Sequence, residues 1–518
     1  MKKAGFIVIL LLLPLLADAQ KVERIYVSTD RTSYVSGERV WCSLFCADAD
    51  GRLGGDSAVA YLELISSAGT AVESKVGMLG GRGGGSFLIP RSVPTGTYRL
   101  LAYTSAGSVS MTGSRLLSVY NPFTTARVKD GVQVTEACPA PVESVAEGTS
   151  PVSLRFEEGE CILSSDAPVT LSLSVYRPDS LSQFPLPSIL AFAAGGEAVD
   201  AGPVSYDGEV IRARANRVPV GALAYLSSAG SPSDTYISSV TDDGSIVFHT
   251  GNIYGDRELV CEVESGSDLA HIDLESPFIH PDAGDLPLLM LSGSQAEDIL
   301  HRRRLLSAQP EMDTLVQFLP YREDLLFEGT QWERYHLDDY TRFPTVQEVI
   351  SEIVSGVRLG RANGRPVFRV LVTDGTEARK DYRENTLVMM DGVVVSDINL
   401  ILQFDAMLLE DVEVSRHPFV IGYTPFGGAV NFITKNNYVT SLHFPDRVRV
   451  VDFKGVSYPV ACRAGESGSD LLFWHPLLEL QPGEEIRISA EGFSDGVRVV
   501  AEGFRTDTFG VFRILENK

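Results

Sequence analysis

Apolar and polar positions alternate with a period of two along much of this chain, as in Thr170-Leu171-Ser172-Leu173-Ser174-Val175-Tyr176. That period predicts half-buried β-strands rather than helices. Comparable runs cover residues 24–29, 39–45, 58–65, 96–103, 209–215, 222–226, 236–240, 447–451 and 485–490. A further apolar run, 470–476, is expected to stop at Pro476. Ser36-Gly37, Asp50-Gly51 and Thr95-Gly96 supply the turns between strands. The pattern therefore predicts a mainly β chain built from tandem sandwiches.

The period changes after about Pro287. Ser294 and Glu297 have capping-box spacing ahead of a helix from Ile299 to Leu306, and Thr345 and Glu348 repeat it. Val346, Val349, Ile350, Ile353 and Val354 then form a helical stripe, which reads as a core face, and Gly356 ends it. Strands are expected at 366–372, 386–390, 393–395, 412–414 and 429–434, with a turn at Asp391-Gly392 and a helix near 399–408. The glycine run 80–85 lacks the Lys-Ser/Thr of a phosphate cradle and reads as a flexible hairpin loop.

Composition narrows the partners. The 518 residues carry 44 Lys+Arg against 68 Asp+Glu, a net charge of −24. The longest basic block is His301-Arg302-Arg303-Arg304, so no nucleic-acid partner is expected. Lys2-Lys3, the apolar run 6–16 and Ala17-Asp18-Ala19 make residues 1–19 a secretory signal peptide. No later run is long enough for a transmembrane helix in the mature chain.

Six cysteines would enter an oxidising compartment: Cys42, Cys46, Cys138, Cys161, Cys261 and Cys462. On one strand Cys42 and Cys46 would sit roughly 13 Å apart, too far to bridge. They read as buried thiols on one strand face. A Cys138–Cys161 bridge stays open as an alternative to free thiols.

Three resemblances add to this reading. Residues 30–41, Asp-Arg-Thr-Ser-Tyr-Val-Ser-Gly-Glu-Arg-Val-Trp, resemble the opening of a macroglobulin domain, and 85–90 with 94–100 resemble its closing strands. Length and the missing Cys-Gly-Glu-Gln thioester argue against a protease trap. Residues 241–248 resemble a turn of carboxypeptidase-regulatory-like sandwiches, which are non-catalytic appendages. Residues 387–394, 407–414 and 423–435 resemble, in order and spacing, the plug domain of TonB-dependent outer-membrane receptors. The chain departs from plugs at Ser415-Arg416-His417-Pro418 and Thr424-Pro425-Phe426. Residues 436–518 are too few for a receptor barrel, so none is expected. No TonB box is assigned, since 22–28 reads as the first sandwich strand.

The expected fold is thus mainly β, with tandem immunoglobulin-like or macroglobulin-like sandwiches plus a small α/β plug-like domain. The expected organisation is signal peptide 1–19, macroglobulin-like sandwich 20–122, a β-sandwich region 123–285 with a regulatory-like module, plug-like domain 286–440 and C-terminal sandwich 441–518. The whole layout is similar to a group of exported Gram-negative proteins, and residues 335–343 resemble a segment specific to that group.

No metalloprotease, P-loop, nucleophile-elbow or paired CxxC motif occurs, so no catalytic residue and no cofactor is expected. His336 beside Asp338 and Asp339 has no further ligand at helical or hairpin spacing, and reads as a loop or hydrogen-bonding histidine rather than a metal site. Asp48, Asp50, Gly51 and Asp56 read as a turn rather than a calcium loop. The expected function is a non-enzymatic exported protein, in the periplasm or at the outer membrane of a Gram-negative cell. Its expected partner is another envelope or outer-membrane protein. The alternative is an accessory to TonB-dependent transport, working with a separately encoded β-barrel transporter. A third class, a cryptic hydrolase, would need convergent carboxylates or a Ser/His pair.

Overall fold

The computed structural model describes residues 23–48, 52–107, 109–124, 131–138, 150–157, 159–194, 204–229, 234–264, 269–308, 316–321, 327, 330–372, 381–383, 385–437, 439, 444–462, 470–489 and 496–517. The segment 1–19, expected to be a signal peptide, lies outside them. The fold is mainly β, with several sheets and a few short helices. None of the described helices is long and apolar enough to cross a membrane. The chain divides into two compact units: Met1–Gly208 with Phe278–Tyr321 and Val456–Lys518, and Glu209–Pro277 with Arg322–Gly455.

The first unit opens with eight strands in continuous pairing, in the order Arg24–Thr29, Arg39–Ala47, Arg82–Leu88, Gly69–Leu79, Val59–Ser66, Gly96–Thr104, Arg115–Tyr120, Ser33–Val35. They enclose a core that includes Ile25, Tyr34, Leu44, Leu62, Leu100 and Leu117. Cys42 and Cys46 point into this core. The glycine run differs from the expected loop. Only Gly80 and Gly81, both at positive φ, make the turn; Gly83, Gly84 and Gly85 are buried within strand Arg82–Leu88. Their missing side chains allow close packing: a Cβ on Gly84 would lie 2.3 Å from Pro476 Cβ.

Strand Val169–Tyr176 lies between Leu471–Leu480 and Arg498–Arg505 in a six-stranded sheet completed by Val316–Phe318, Val460–Cys462 and Val511–Asn517. Val152–Glu157, Glu160–Ser165 and Glu485–Ser489 form the opposing sheet over a shared apolar core. One sandwich is therefore assembled from distant parts of the sequence. Strand Leu471–Leu480 does not stop at Pro476. Its pairing shifts between Leu171 and Leu173, opposite Leu478 and His475, and this irregularity accommodates a residue with no N–H to give the ladder.

All eight residues of Val169–Tyr176 are buried, not the half that alternation predicts. Its hydroxyl face meets the first sandwich: Ser43 Oγ donates to Ser172 Oγ at 2.8 Å, and Ser174 Oγ donates to the Asp30 carbonyl at 2.8 Å. Nearby, Glu502 accepts from Arg115 Nη2 at 2.9 Å, Tyr26 at 2.9 Å and Ser28 at 2.6 Å, with Arg513 Nε 3.5 Å away. Trp41 packs on Trp474 and Phe45 on Phe504.

Helix Ala296–Ala308 also belongs to this unit. A short 3-10 turn precedes it, and Gln295 Oε1 accepts from Ser292 N at 2.9 Å, so Ser292 and Gln295 form the cap rather than Ser294 and Glu297. Arg302, within the basic block, is buried against Glu38, Asp179 and Asp470.

In the second unit, Ser245–Gly251, Glu209–Asn216 and His271–Leu274 face Thr235–Ser239, Leu223–Ser228, Arg257–Val263 and Val448–Phe453 over one core. At the turn 241–245, Thr241 Oγ1 donates to Asp243 at 2.6 Å, and hydrogen bonds from Thr241 and Ser245 hold the exposed Asp243 carboxyl down at about 2. Gly244 has φ 81° there, and a Cβ would meet the Ala215 carbonyl at 2.6 Å.

The remaining module of this unit has a five-stranded sheet in the order Glu333–His336, Leu409–Ser415, Gly428–Thr434, Thr386–Met390, Val393–Val394. Strands Thr386–Met390 and Gly428–Thr434 run parallel. Helix Val346–Glu352 begins at the expected Thr345–Glu348 capping box and buries Val346, Val349 and Ile350 in the module's core. Gly356, at φ 79°, follows its end. The second expected helix is shorter than its pattern, Ile398–Gln403, followed by a 3-10 turn at Ala406–Leu408. A small sheet adds Val357–Ala362, Arg365–Val372 and Asp381–Arg383. Leu223, Tyr225 and Ile237 of the sandwich share an apolar cluster with Leu387, Met389, Val394, Ile421 and Phe426.

Candidate functional site

The strings 387–394, 407–414 and 423–435 contribute neighbouring strands to the five-stranded sheet. A tight turn at Asp391 (φ 48°) and Gly392 (φ 79°) closes the first of them. Asp391 is tied to the third: its Oδ1 accepts from Thr434 N and its Oδ2 from Thr434 Oγ1, each at 2.7 Å. Burial raises its carboxyl above the ordinary range, against the pull of these donors. Gly392 N donates to Asn431 Oδ1 at 3.0 Å, so the turn is fixed from two positions on one strand.

After the second string, Ser415-Arg416-His417-Pro418 leads into a hairpin, Phe419–Ile421 with Thr424–Phe426, turning at Gly422 (φ 59°). Arg416 reaches Glu333 at 2.6 Å and the Ser355 carbonyl at 2.9 Å. It passes over Gly356, where a Cβ would come within 2.7 Å of its Cζ. Phe419 stacks on Phe426 at 5.5 Å, and Phe327 packs edge-on against Phe419 and Trp332. The hairpin leaves Val420 61% and Tyr423 104% exposed. An apolar tip on a rigid aromatic base is the kind of feature that anchors a protein interface.

His336 lies elsewhere on the same sheet. It is paired directly with Asp411, and its Nδ1 is 2.7 Å from Asp411 Oδ1. That hydrogen bond, then the charges of Asp411, Asp339 and Asp338, raise the imidazole's basicity. Asp338 turns instead to Arg342, 2.6 Å away. Glu410 joins His336 and Asp411: among the described residues, this is where three His, Cys, Asp or Glu side chains come close enough to hold one ion. The neighbouring aspartates in sequence drew attention to His336. Glu410 and Asp411 became visible only through strand pairing.

The other sequence candidates have local roles. Asp48 Oδ1 accepts from Arg52 N at 2.9 Å, and Asp56 N donates to Glu23 Oε1 at 2.7 Å; Asp50 and Gly51 lie outside the described residues. All six cysteines are free, so Cys138 and Cys161 are not bridged. Cys138 Sγ lies 3.2 Å from Gln295 Oε1. Burial pushes the Cys42 and Cys462 thiols up to about 12 and raises those of Cys46 and Cys261, which keeps them protonated and unreactive.

No protein-family model matches the chain, and no curated protein matches it in sequence. Among solved structures it has distant similarity to bacterial α2-macroglobulins. Trypsin-activated α2-macroglobulin from Escherichia coli matches at 9% identity and TM-score 0.24, covering 95% of this chain and 41% of that one. Salmonella α2-macroglobulin reacted with methylamine matches at 10% identity and TM-score 0.24, covering 95% and 39%. Dimeric latent PorU from Porphyromonas gingivalis matches at 9% identity and TM-score 0.17, covering 49% and 33%. The chain thus spans about two-fifths of the length of the macroglobulins it matches.

Proposed function

We propose that this is a non-enzymatic, exported cell-envelope protein of a Gram-negative cell that binds another envelope component through its β-sandwiches and five-stranded module. In this reading residues 1–19 are removed on export. The segments 20–122, 123–285 and 441–518 supply sandwich strands, and 286–440 carries a plug-like module. The observation that carries the reading is the exposed hairpin 419–426, with Val420 and Tyr423 at its tip over stacked Phe419 and Phe426. The protonated, buried thiols also favour binding over thiol catalysis.

A second reading, an accessory role in TonB-dependent transport with a separately encoded barrel, is favoured by one observation. The three plug-resembling strings contribute to one sheet, fastened by Asp391 to Thr434.

Envelope fractionation with a photocrosslinker in place of Tyr423 tests both. Recovery with envelope membranes and one dominant crosslinked envelope protein supports binding. Capture of a β-barrel transporter selects the transport reading. A freely soluble protein that captures nothing overturns both.

A further inference from the structure

We propose that His336, Glu410 and Asp411 bind a divalent transition cation of the Zn²⁺ type at the five-stranded sheet. The site is independent of the partner-binding reading. One ligand atom from each residue lies within 4.8 Å of the other two. A tetrahedral centre with bonds of about 2.0–2.2 Å places its ligands roughly 3.3–3.6 Å apart, so small side-chain rotations would close the site.

The strand is irregular where this matters. In regular pairing Glu410 and Asp411 would face opposite sides of the sheet. The pairing shifts between Leu409 and Asp411, and both carboxylates come within reach of the same histidine.

Local charge favours a cation. Arg334 is engaged by Glu413, with Nη2 2.5 Å and Nε 3.0 Å from Oε1, and stands 3.9 Å from Asp411. Arg342 is held by Asp338 at 2.6 Å and by the Leu409 carbonyl at 2.8 Å. Glu410 and Asp411 therefore keep an excess of negative charge around the imidazole. The His336 side chain is 43% exposed, which leaves an approach for the ion and its remaining water ligands. A nitrogen donor with two carboxylates suits Zn²⁺ and related ions, whereas Ca²⁺ and Mg²⁺ prefer all-oxygen shells. On binding, the cation takes the place of the hydrogen bond between His336 Nδ1 and Asp411 Oδ1, and the imidazole keeps its one N–H on Nε2.

Calorimetric titration of the chelator-treated full chain with Zn²⁺ should show one site. His336→Ala and Glu410→Gln should each weaken binding by more than the ~10–100-fold of an outer-shell partner, while Ca²⁺ and Mg²⁺ give no comparable heat. If His336→Ala does not fold, Glu410→Gln decides, since its side chain is part-exposed and its melting should match the parent. The proposal is overturned if no Zn²⁺ site is found, if the folded variants bind Zn²⁺ as the parent does, or if Ca²⁺ binds equally well. In the first two cases His336–Asp411 is a hydrogen-bonded pair only, and in the third the cluster is a non-selective cation site.

Discussion

In the first unit two sandwiches meet through hydroxyls and a fully buried Arg–Glu pair set beside the Trp41–Trp474 and Phe45–Phe504 contacts, whereas in the second a sandwich meets the five-stranded module through Leu223, Tyr225, Leu387, Met389 and Val394, with Ser396 donating to Glu262. Glu502 and Arg115 have fully buried side chains, so both gave up hydration to meet. Such a pair adds little to stability over an apolar equivalent but is very sensitive to loss of one partner. It also fixes alignment, because Glu502 accepts from Arg115, Tyr26 and Ser28 together. An apolar junction instead contributes in proportion to buried area and tolerates a change of shape.

The sharpest test is Glu502→Ala. It removes the carboxylate that faces Arg115 and Arg513 and should cost about 3–5 kcal/mol in denaturant unfolding. Replacing Glu502, Arg115 and Arg513 together by apolar residues should recover much of that loss; failure to recover would mean the seam is held by more than charge. In the second unit Leu387→Ala should cost about 2–4 kcal/mol, and a smaller loss would show that the junction re-packs. Gly84→Ala, pressing on Pro476, should cost about 1–3 kcal/mol by overpacking, readable as a lower melting temperature.

Next comes a pH effect confined to the second unit. Burial raises the Glu262 carboxyl from 4.5 to about 7, although Ser396 donates to it and Arg447 lies 3.9 Å away. The folded chain holds this proton more tightly than the unfolded chain. Its contribution is therefore complete below about pH 4.5 and is lost as pH rises through about 7. Unfolding midpoints should fall by the equivalent of at most roughly 3 kcal/mol across that window, and Glu262→Gln should flatten the fall. Asp30, raised to about 6 by burial, gives the first unit a slope of the same sign that this substitution leaves untouched. The smallest effect is expected from Tyr423→Ala: stability within about 0.5 kcal/mol of the parent, with loss of the crosslinked partner.

Local features were the legible ones. The helix at 346–352 carries its start and buried face within one short segment, and strand Glu209–Asn216 alternates in burial as its sequence does. What depended on distant neighbours was not. The hydroxyl face of Val169–Tyr176 looks solvated until Ser43 and Asp30 cover it. Gly83–Gly85 reads as a loop because nothing in sequence shows Pro476 approaching. At the candidate ion site His336 was legible as a residue, but Asp411 lies 75 positions away and arrives by strand register.

The split sandwich sets a timetable for folding. Val169–Tyr176 takes its hydrogen-bonded neighbours from 471–480 and 498–505, roughly 300 residues downstream. At synthesis rates of about 5–20 residues per second that is a wait of roughly 15–60 s. Throughout it, an uncharged segment of high β-propensity has both edges unpaired, the type of sequence that nucleates cross-β aggregation. Truncation before residue 498 should leave the first unit aggregating rather than merely weakened.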